Sequence, residues 1–150
     1  MYPTLVTFHI LFAGIWLAFF LFELTFRKQI QKKFDFDKIT TYLKLTNVFG
    51  IIGSLGILIT GILMVTMRSQ YGFFDMTANH WLATKQIIFL IILILTTVMV
   101  IPNSKKVREK FKNNQLESDS KELGKLFIAN QIINYLVVIN FIFAVTHRLY

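Results

Sequence analysis

Four long apolar stretches set the limits on what this chain can fold into. They cover residues 2–26, 45–67, 81–102 and 126–147, and each approaches or exceeds the roughly 20 residues that a helix needs to cross a bilayer core. Backbone within lipid must satisfy its own hydrogen bonds, so these stretches predict transmembrane helices. The expected fold is all-α: an integral membrane antiparallel four-helix bundle, with residues 1–150 as a single four-span domain.

The overall composition is typical of the same class. The chain is 55% hydrophobic and 16% charged, with 16 phenylalanines, which is too apolar for a soluble domain of this size. The first stretch lacks the basic n-region and the small-residue cleavage pattern of a signal peptide, so we expect it to stay as a span. Because there is no cysteine, disulfides, thiolate metal sites and covalent c-type haem attachment are excluded.

The basic residues predict the orientation. Thirteen of the sixteen Lys and Arg residues lie in two connections, six within 27–44 and seven within 105–125. The positive-inside rule makes these connections cytoplasmic and puts both termini, with the loop 68–80, on the outer, periplasmic face. We therefore expect a multi-pass protein of the bacterial inner membrane. The net charge of +8 then reflects topology, and its partner is the lipid bilayer rather than nucleic acid.

Three histidines fall in the predicted outer half: His9 within span one, His80 where span three begins and His147 where span four ends. A polar ring inside an apolar helix needs a partner in the bundle. Three hypotheses stay open for His9: a hydrogen bond to a neighbouring Asn, Thr or carbonyl, a haem ligand, or a copper ligand. Met64 and Met67 end span two nearby, and thioether with imidazole is the ligand set of b-type haem or of copper(I).

Three basic residues lie outside the two connections: Arg68, Lys85 and Arg148. They could extend to lipid headgroups, or they could neutralise haem propionates. Lys85 is the most informative of them because it lies inside the apolar span three, where an unmatched ammonium is disfavoured.

Small and polar residues interrupt spans two and four. Gly53 and Gly56 allow close helix packing, and they could also leave room for a flat macrocycle. Interhelical hydrogen bonding is expected from the polar residues of span four, which are Asn130, Gln131, Asn134 and Asn140.

His9, Trp16 and Glu23 are spaced by seven, so they share one face of span one, and that face is expected to point inward. For Glu23 the sequence favours an ion pair with Arg27 at i+4. A proton-relay role is the alternative, and it has no evident second member in the sequence.

Several of these residues form a pattern that resembles a known group of membrane proteins. His9 is followed by Trp16, span two ends in "TGILM", and span three opens with "WLATK". This pattern is similar to that of the four-helix proteins that include the HemJ-type protoporphyrinogen oxidases and the membrane domains of copper-resistance protein D. The resemblance covers spans one to three. It implies that His9 is an axial ligand of haem b and that Trp81 and Lys85 match the family's Trp and Lys.

The chain also departs from the oxidase pattern. Leu24 and Thr25 stand where that pattern has a proline-arginine pair, and Ala83 stands where it has a histidine. These departures argue against the oxidase activity itself. They leave the haem site with His9 as its first ligand and His147 or His80 as its second.

The expected function is therefore haem b binding for electron transfer or haem-linked redox chemistry. Lys85 would pair with a propionate, and Trp16 would pack against the macrocycle. A chain of this size is expected to act within a larger membrane redox complex or as a homo-oligomer. The alternatives are copper(I) transport or handling through Met64 and Met67, a cofactor-free accessory subunit, and a protoporphyrinogen oxidase-like enzyme.

Overall fold

The computed structural model describes residues 2–68, 70–117 and 120–146, and all regular secondary structure in these ranges is helical. The helices are α1 (Tyr2–Lys32), α2 (Phe36–Thr66), α3 (Met76–Leu95), α4 (Ile101–Lys112) and α5 (Lys121–Thr146), with a π-helical turn at Thr96–Val100 between α3 and α4. Four segments are long and apolar enough to cross a membrane: α1, α2, the continuous helix Asn79–Lys112 and α5. The expected all-α four-helix membrane bundle is confirmed.

Helices α1 and α2 form an antiparallel hairpin whose contacts recur at heptad spacing. Residues 2, 9, 16 and 23 of α1 alternate with Phe12 and Phe19 in facing α2. Along the first half of this seam, Tyr2 contacts Arg68 just after α2, His9 contacts Thr60, and Phe12 contacts Gly56. Along the second half, Trp16 contacts Gly53, Phe19 contacts Phe49, and Glu23 contacts Tyr42. A seam that repeats every seven residues is typical of left-handed, coiled-coil-like packing. It fixes the register of the two helices from Tyr2 to Glu23 of α1.

The helices extend past the apolar stretches at one end of the bundle. We call this end, which carries the connections 33–35 and 113–120, the basic end, and we call the opposite end the far end. At the basic end Asp35 caps α2 by accepting a hydrogen bond from the Asp37 amide at 2.9 Å. Lys110 of α4 contacts Glu122 of α5 at 2.6 Å. Much of the polar sequence that joins the apolar stretches is therefore helical.

A single proline explains the π-helical turn in the third span. Pro102 has no amide hydrogen to donate to the carbonyl four residues earlier, and its ring crowds that carbonyl. The wider Thr96–Val100 turn immediately precedes it, as π-turns often do where the ordinary helical pattern is interrupted. The helix thus continues through Pro102 to Lys112, although the apolar stretch ends at this proline.

Buried side chains are unevenly distributed along the bundle. The largest fully buried ones lie mostly in the basic half, among them Ile39, Tyr42, Leu123 and Leu126. In contrast, none of the described α1 residues before Trp16 is fully buried. The four spans are therefore packed tightly at the basic end and more loosely around His9.

Candidate functional site

His9 makes a hydrogen bond that fixes the state of its imidazole ring. Its Nδ1 lies 2.7 Å from Thr60 Oγ1, and Thr60 Oγ1 lies 2.6 Å from the Gly56 carbonyl oxygen. A hydroxyl has one proton, and here Thr60 donates it to Gly56, so Thr60 must accept from His9. His9 Nδ1 therefore carries the ring proton, and Nε2 keeps its lone pair. The hypothesis of a threonine partner for His9 is confirmed, and it leaves one ring nitrogen able to bind a metal.

Groups of α2 and α3 lie near His9, and α5 in turn contacts α3. On α2, a methyl group at Gly61 would lie 3.6 Å from His9 Cε1, so the ring faces this glycine. The Lys85 ammonium of α3 lies close enough to act electrostatically on His9, and it is 5.4 Å from the centroid of the Trp81 ring. On α5, Asn140 donates to the Lys85 carbonyl at 3.5 Å. The structure thus brings His9 and Lys85 into one polar site.

The glycines of α2 accommodate aromatic side chains from α1. A Cβ at Gly53 would lie 3.2 Å from Trp16 Cβ, and a Cβ at Gly56 would overlap the Phe12 ring. Trp16 also meets Phe89 of α3 edge to face, with the ring centroids 6.5 Å apart. Close helix packing is therefore what Gly53 and Gly56 provide here, and the space above them is filled by side chains.

The other predicted site residues lie at or near the far end. His80 is exposed at the start of α3, Met67 is exposed where α2 ends, and Met64 is partly buried. The Arg68 guanidinium lies 4.0 Å from the centroid of the Tyr2 ring. Two further predicted residues, His147 and Arg148, lie outside the described residues. Within the described part of the chain, no three His, Asp or Glu side chains come together as a metal site.

A second polar cluster occupies the basic half, centred on Glu23, which is 0% exposed. Tyr42 of α2 donates to Glu23 Oε1 at 3.5 Å, and Asn134 of α5 donates to Glu23 Oε2 at 3.4 Å. Asn130 of α5 donates to the Tyr42 hydroxyl at 2.6 Å. We call Glu23, Tyr42, Asn130 and Asn134, together with Arg27, the Glu23 cluster. It joins three of the four spans.

Arg27 pairs with Glu23 only loosely. Its Nε is 4.0 Å from Glu23 Oε1, while its NH1 donates to Gln131 of α5. The i+4 pair is thus confirmed, as is interhelical bonding by Asn130, Gln131, Asn134 and Asn140. Two buried polar atoms beside the cluster, Arg27 Nε and Thr46 Oγ1, have no hydrogen-bond partner.

Sequence reasoning missed Tyr42 because it precedes the second apolar stretch. The heptad pattern could have identified it, because Tyr42, Phe49 and Gly56 are spaced by seven. This spacing therefore begins before the apolar stretch does. A helix that begins well before residue 45 and keeps this pattern places Tyr42 opposite Glu23.

Together the fold and these two polar sites define a four-span helical membrane protein. It holds a histidine of fixed tautomer in the far half and the buried Glu23 cluster in the basic half. Comparison with protein-family models, curated proteins and solved structures finds no match. The similarity to the HemJ and copper-resistance protein D group therefore stays a prediction from the quoted residues.

Proposed function

We propose that this chain is a haem b-binding membrane protein that acts in electron transfer or haem-linked redox chemistry, with His9 as an axial ligand. The observation that supports this best is the chain of hydrogen bonds from His9 Nδ1 through Thr60 to the Gly56 carbonyl. Metal-binding histidines usually donate their second ring N–H to a protein acceptor, which fixes the ring and raises the basicity of the other nitrogen. His9 meets this requirement.

Haem fits a lone histidine better than a bare ion does. A protein-bound zinc ion usually takes three or four Cys, His, Asp or Glu ligands, and the described residues offer no cluster of three His, Asp or Glu side chains. Haem iron already has four porphyrin nitrogens, so one or two axial side chains complete its coordination. His80 and His147 are the candidates for the second.

Lys85 suits the charged groups of a haem. Its ammonium is near His9 and close to the Trp81 ring, where a propionate would be attracted to it within an otherwise apolar bundle. The resemblance of "WLATK" to the family motif favours the same assignment. Arg68 and Arg148 are the further candidates for a second propionate.

The packing of the bundle leaves the far half as the place for a large planar group. The described part of α1 before Trp16 contributes no fully buried side chain, so less internal packing would be given up there than at the basic end. Phe12 and Trp16 cover the glycine face of α2. They would therefore form an aromatic wall beside the group, and the glycines would hold that wall close to the helix.

Bound haem would supply a reversible one-electron centre, and the side chains of the chain would set its surroundings. Thr60, which accepts the hydrogen bond from His9 Nδ1, would orient the ring, Lys85 would balance anionic charge, and the apolar spans would exclude water. We propose the bacterial inner membrane as the location, with both termini on the periplasmic side. Electron exchange then requires a partner, for which a larger redox complex or a second copy of the chain is suited.

The test is an oxidised-minus-reduced visible spectrum of protein purified in detergent after expression with ample haem. We expect b-type bands in the wild type, their loss in His9→Ala, and their retention in a Met64→Leu/Met67→Leu double variant. Retention separates haem from a copper(I) site, which the double substitution would abolish. A colourless wild type, or bands unchanged in His9→Ala, would overturn the proposal, and copper stoichiometry would be measured next.

A further inference from the structure

We propose that the Glu23 cluster is a proton-binding site inside the bundle, reached from the basic end, with Glu23 as the group that takes up and releases the proton. This site is separate from His9. The two positions are fourteen residues apart on one helix, which is about 21 Å at 1.5 Å per residue.

The distances from Glu23 to its polar neighbours are longer than those of a well-formed ion pair. Charge-assisted hydrogen bonds to carboxylates are usually about 2.7–2.9 Å long, whereas the three groups facing Glu23 lie at 3.4, 3.5 and 4.0 Å. Arg27 directs its NH1 to Gln131, and its Nε is buried without a partner. Glu23 is thus fully enclosed yet incompletely bonded, which is costly for a fixed carboxylate.

The polar groups around Glu23 suit either of its protonation states. Asn130 donates to the Tyr42 hydroxyl, so the Tyr42 proton remains available for an ionised Glu23. When Glu23 is protonated, its own O–H can instead be donated to the second lone pair of Tyr42. Among the described residues, the charged or titratable groups facing Glu23 are Arg27 of α1 and Tyr42 of α2. Helix α5 contributes the neutral amides Asn130 and Asn134.

The cluster is open in one direction and closed in the other. Toward the basic end, Arg27 is one helical turn from Glu23, and its side chain is 13% exposed. Toward the far end, Trp16 and Phe19 are each 4% exposed, and Phe19 stacks on Phe49 of α2. A proton from water therefore arrives past Arg27 and returns the same way.

The step is a simple proton equilibrium. The Glu23 carboxylate takes one proton from a hydronium ion at the basic end, which leaves a water molecule, and becomes a neutral acid with no electron transferred. Arg27 keeps its bond to Gln131, so its positive charge is no longer balanced by Glu23. Uptake of a proton therefore changes the net charge of the cluster from zero to plus one, and this charge change is what a partner or a redox centre would sense.

The test is infrared difference spectroscopy of the reconstituted protein while the pH is stepped across the acid range. Buried carboxylic acids give a carbonyl stretching band separate from the amide bands. We expect such a band to appear as the pH falls, to shift when glutamate is labelled with carbon-13, and to be absent in Glu23→Gln. The exposed Glu117 provides the matched control, and Glu117→Gln should retain the band. The measurement needs no haem, so its failure is distinct from failure of the haem proposal.

A further variant keeps the test decisive if Glu23→Gln does not fold. In Tyr42→Phe the hydroxyl that contacts Glu23 Oε1 is lost, so the glutamate-labelled band should shift in frequency. A glutamate band whose intensity and frequency are unchanged in both Glu23→Gln and Tyr42→Phe would overturn the proposal. So would the absence of any buried carboxyl band at every pH, which would identify Glu23 and Arg27 as a fixed ion pair.

Discussion

Gly56 gives the sharpest test of the packing between α1 and α2. A Cβ at this position would overlap the base of the Phe12 ring, while a Cβ at Gly53 would lie 3.2 Å from Trp16 Cβ. At Gly50, on the same helix, a Cβ would meet nothing within 4 Å. Substituting each glycine by alanine therefore adds the same methyl group to three environments that differ only in the space available.

The expected order of stability follows from two opposing effects. Alanine in place of glycine favours a helix by about 0.5–1 kcal/mol, whereas overpacking a filled interface costs about 1–3 kcal/mol. Gly50→Ala gains helix propensity without any overpacking cost, so it should be as stable as the wild type or slightly more stable. For Gly56→Ala the balance is a loss of about 1–2 kcal/mol. Gly53→Ala should fall between them.

The assay is reversible unfolding in mixed micelles, with the free energy of unfolding measured for each variant. A Phe12→Ala background provides the specific control, because removing the ring should abolish the cost of Gly56→Ala and give a coupling energy of about 1 kcal/mol or more. Equal stabilities for Gly56→Ala and Gly50→Ala would refute the described register of α1 on α2.

Two further predictions concern topology and the Glu23 cluster. Since the chain has no cysteine, Gln115→Cys and Gln70→Cys can be labelled separately with a membrane-impermeant maleimide in cells whose outer membrane has been permeabilised. The proposed orientation requires labelling of position 70 only, and the reverse pattern would disprove it. Asn130→Leu removes the 2.6 Å bond to Tyr42 and should lower the free energy of unfolding by about 1–2 kcal/mol. The exposed Asn47→Leu should change the same quantity little, and equal losses would contradict the assigned role of Asn130.

The spans could be predicted because apolar length alone determines them, and Glu23 with Arg27 because a four-residue spacing on one helix is local. Contacts between helices depend on rotation and register, which apolar composition does not encode. Thus a threonine partner for His9 could be named as a type, but Thr60 could not be singled out among the threonines. The same limit applied to Phe12, which looked like any lipid-facing phenylalanine until Gly56 was placed opposite it.

The heptad spacing contained more information than its first use suggested. His9, Trp16 and Glu23 indicated an inward face on α1, and the matching series in α2 includes Thr46, Gly53 and Thr60, also seven apart. Pairing the two series would have predicted the His9–Thr60 and Trp16–Gly53 contacts. The pairing was obscured because half of the α2 series consists of small residues, which carry no hydrophobic signal.

The uneven burial described above gives the two ends of the bundle different mechanical character. The first 14 described residues of α1, about four turns, include no fully buried side chain. Local separation of helices costs less where fewer side chains are buried, so at the far end the α1–α2 pair can part from α3 and α5 while the basic half stays assembled. The two helix pairs are then held together mainly at the basic end. A molecule that enters the bundle from the lipid would reach His9 laterally, between the far ends of the two pairs, without passing through water.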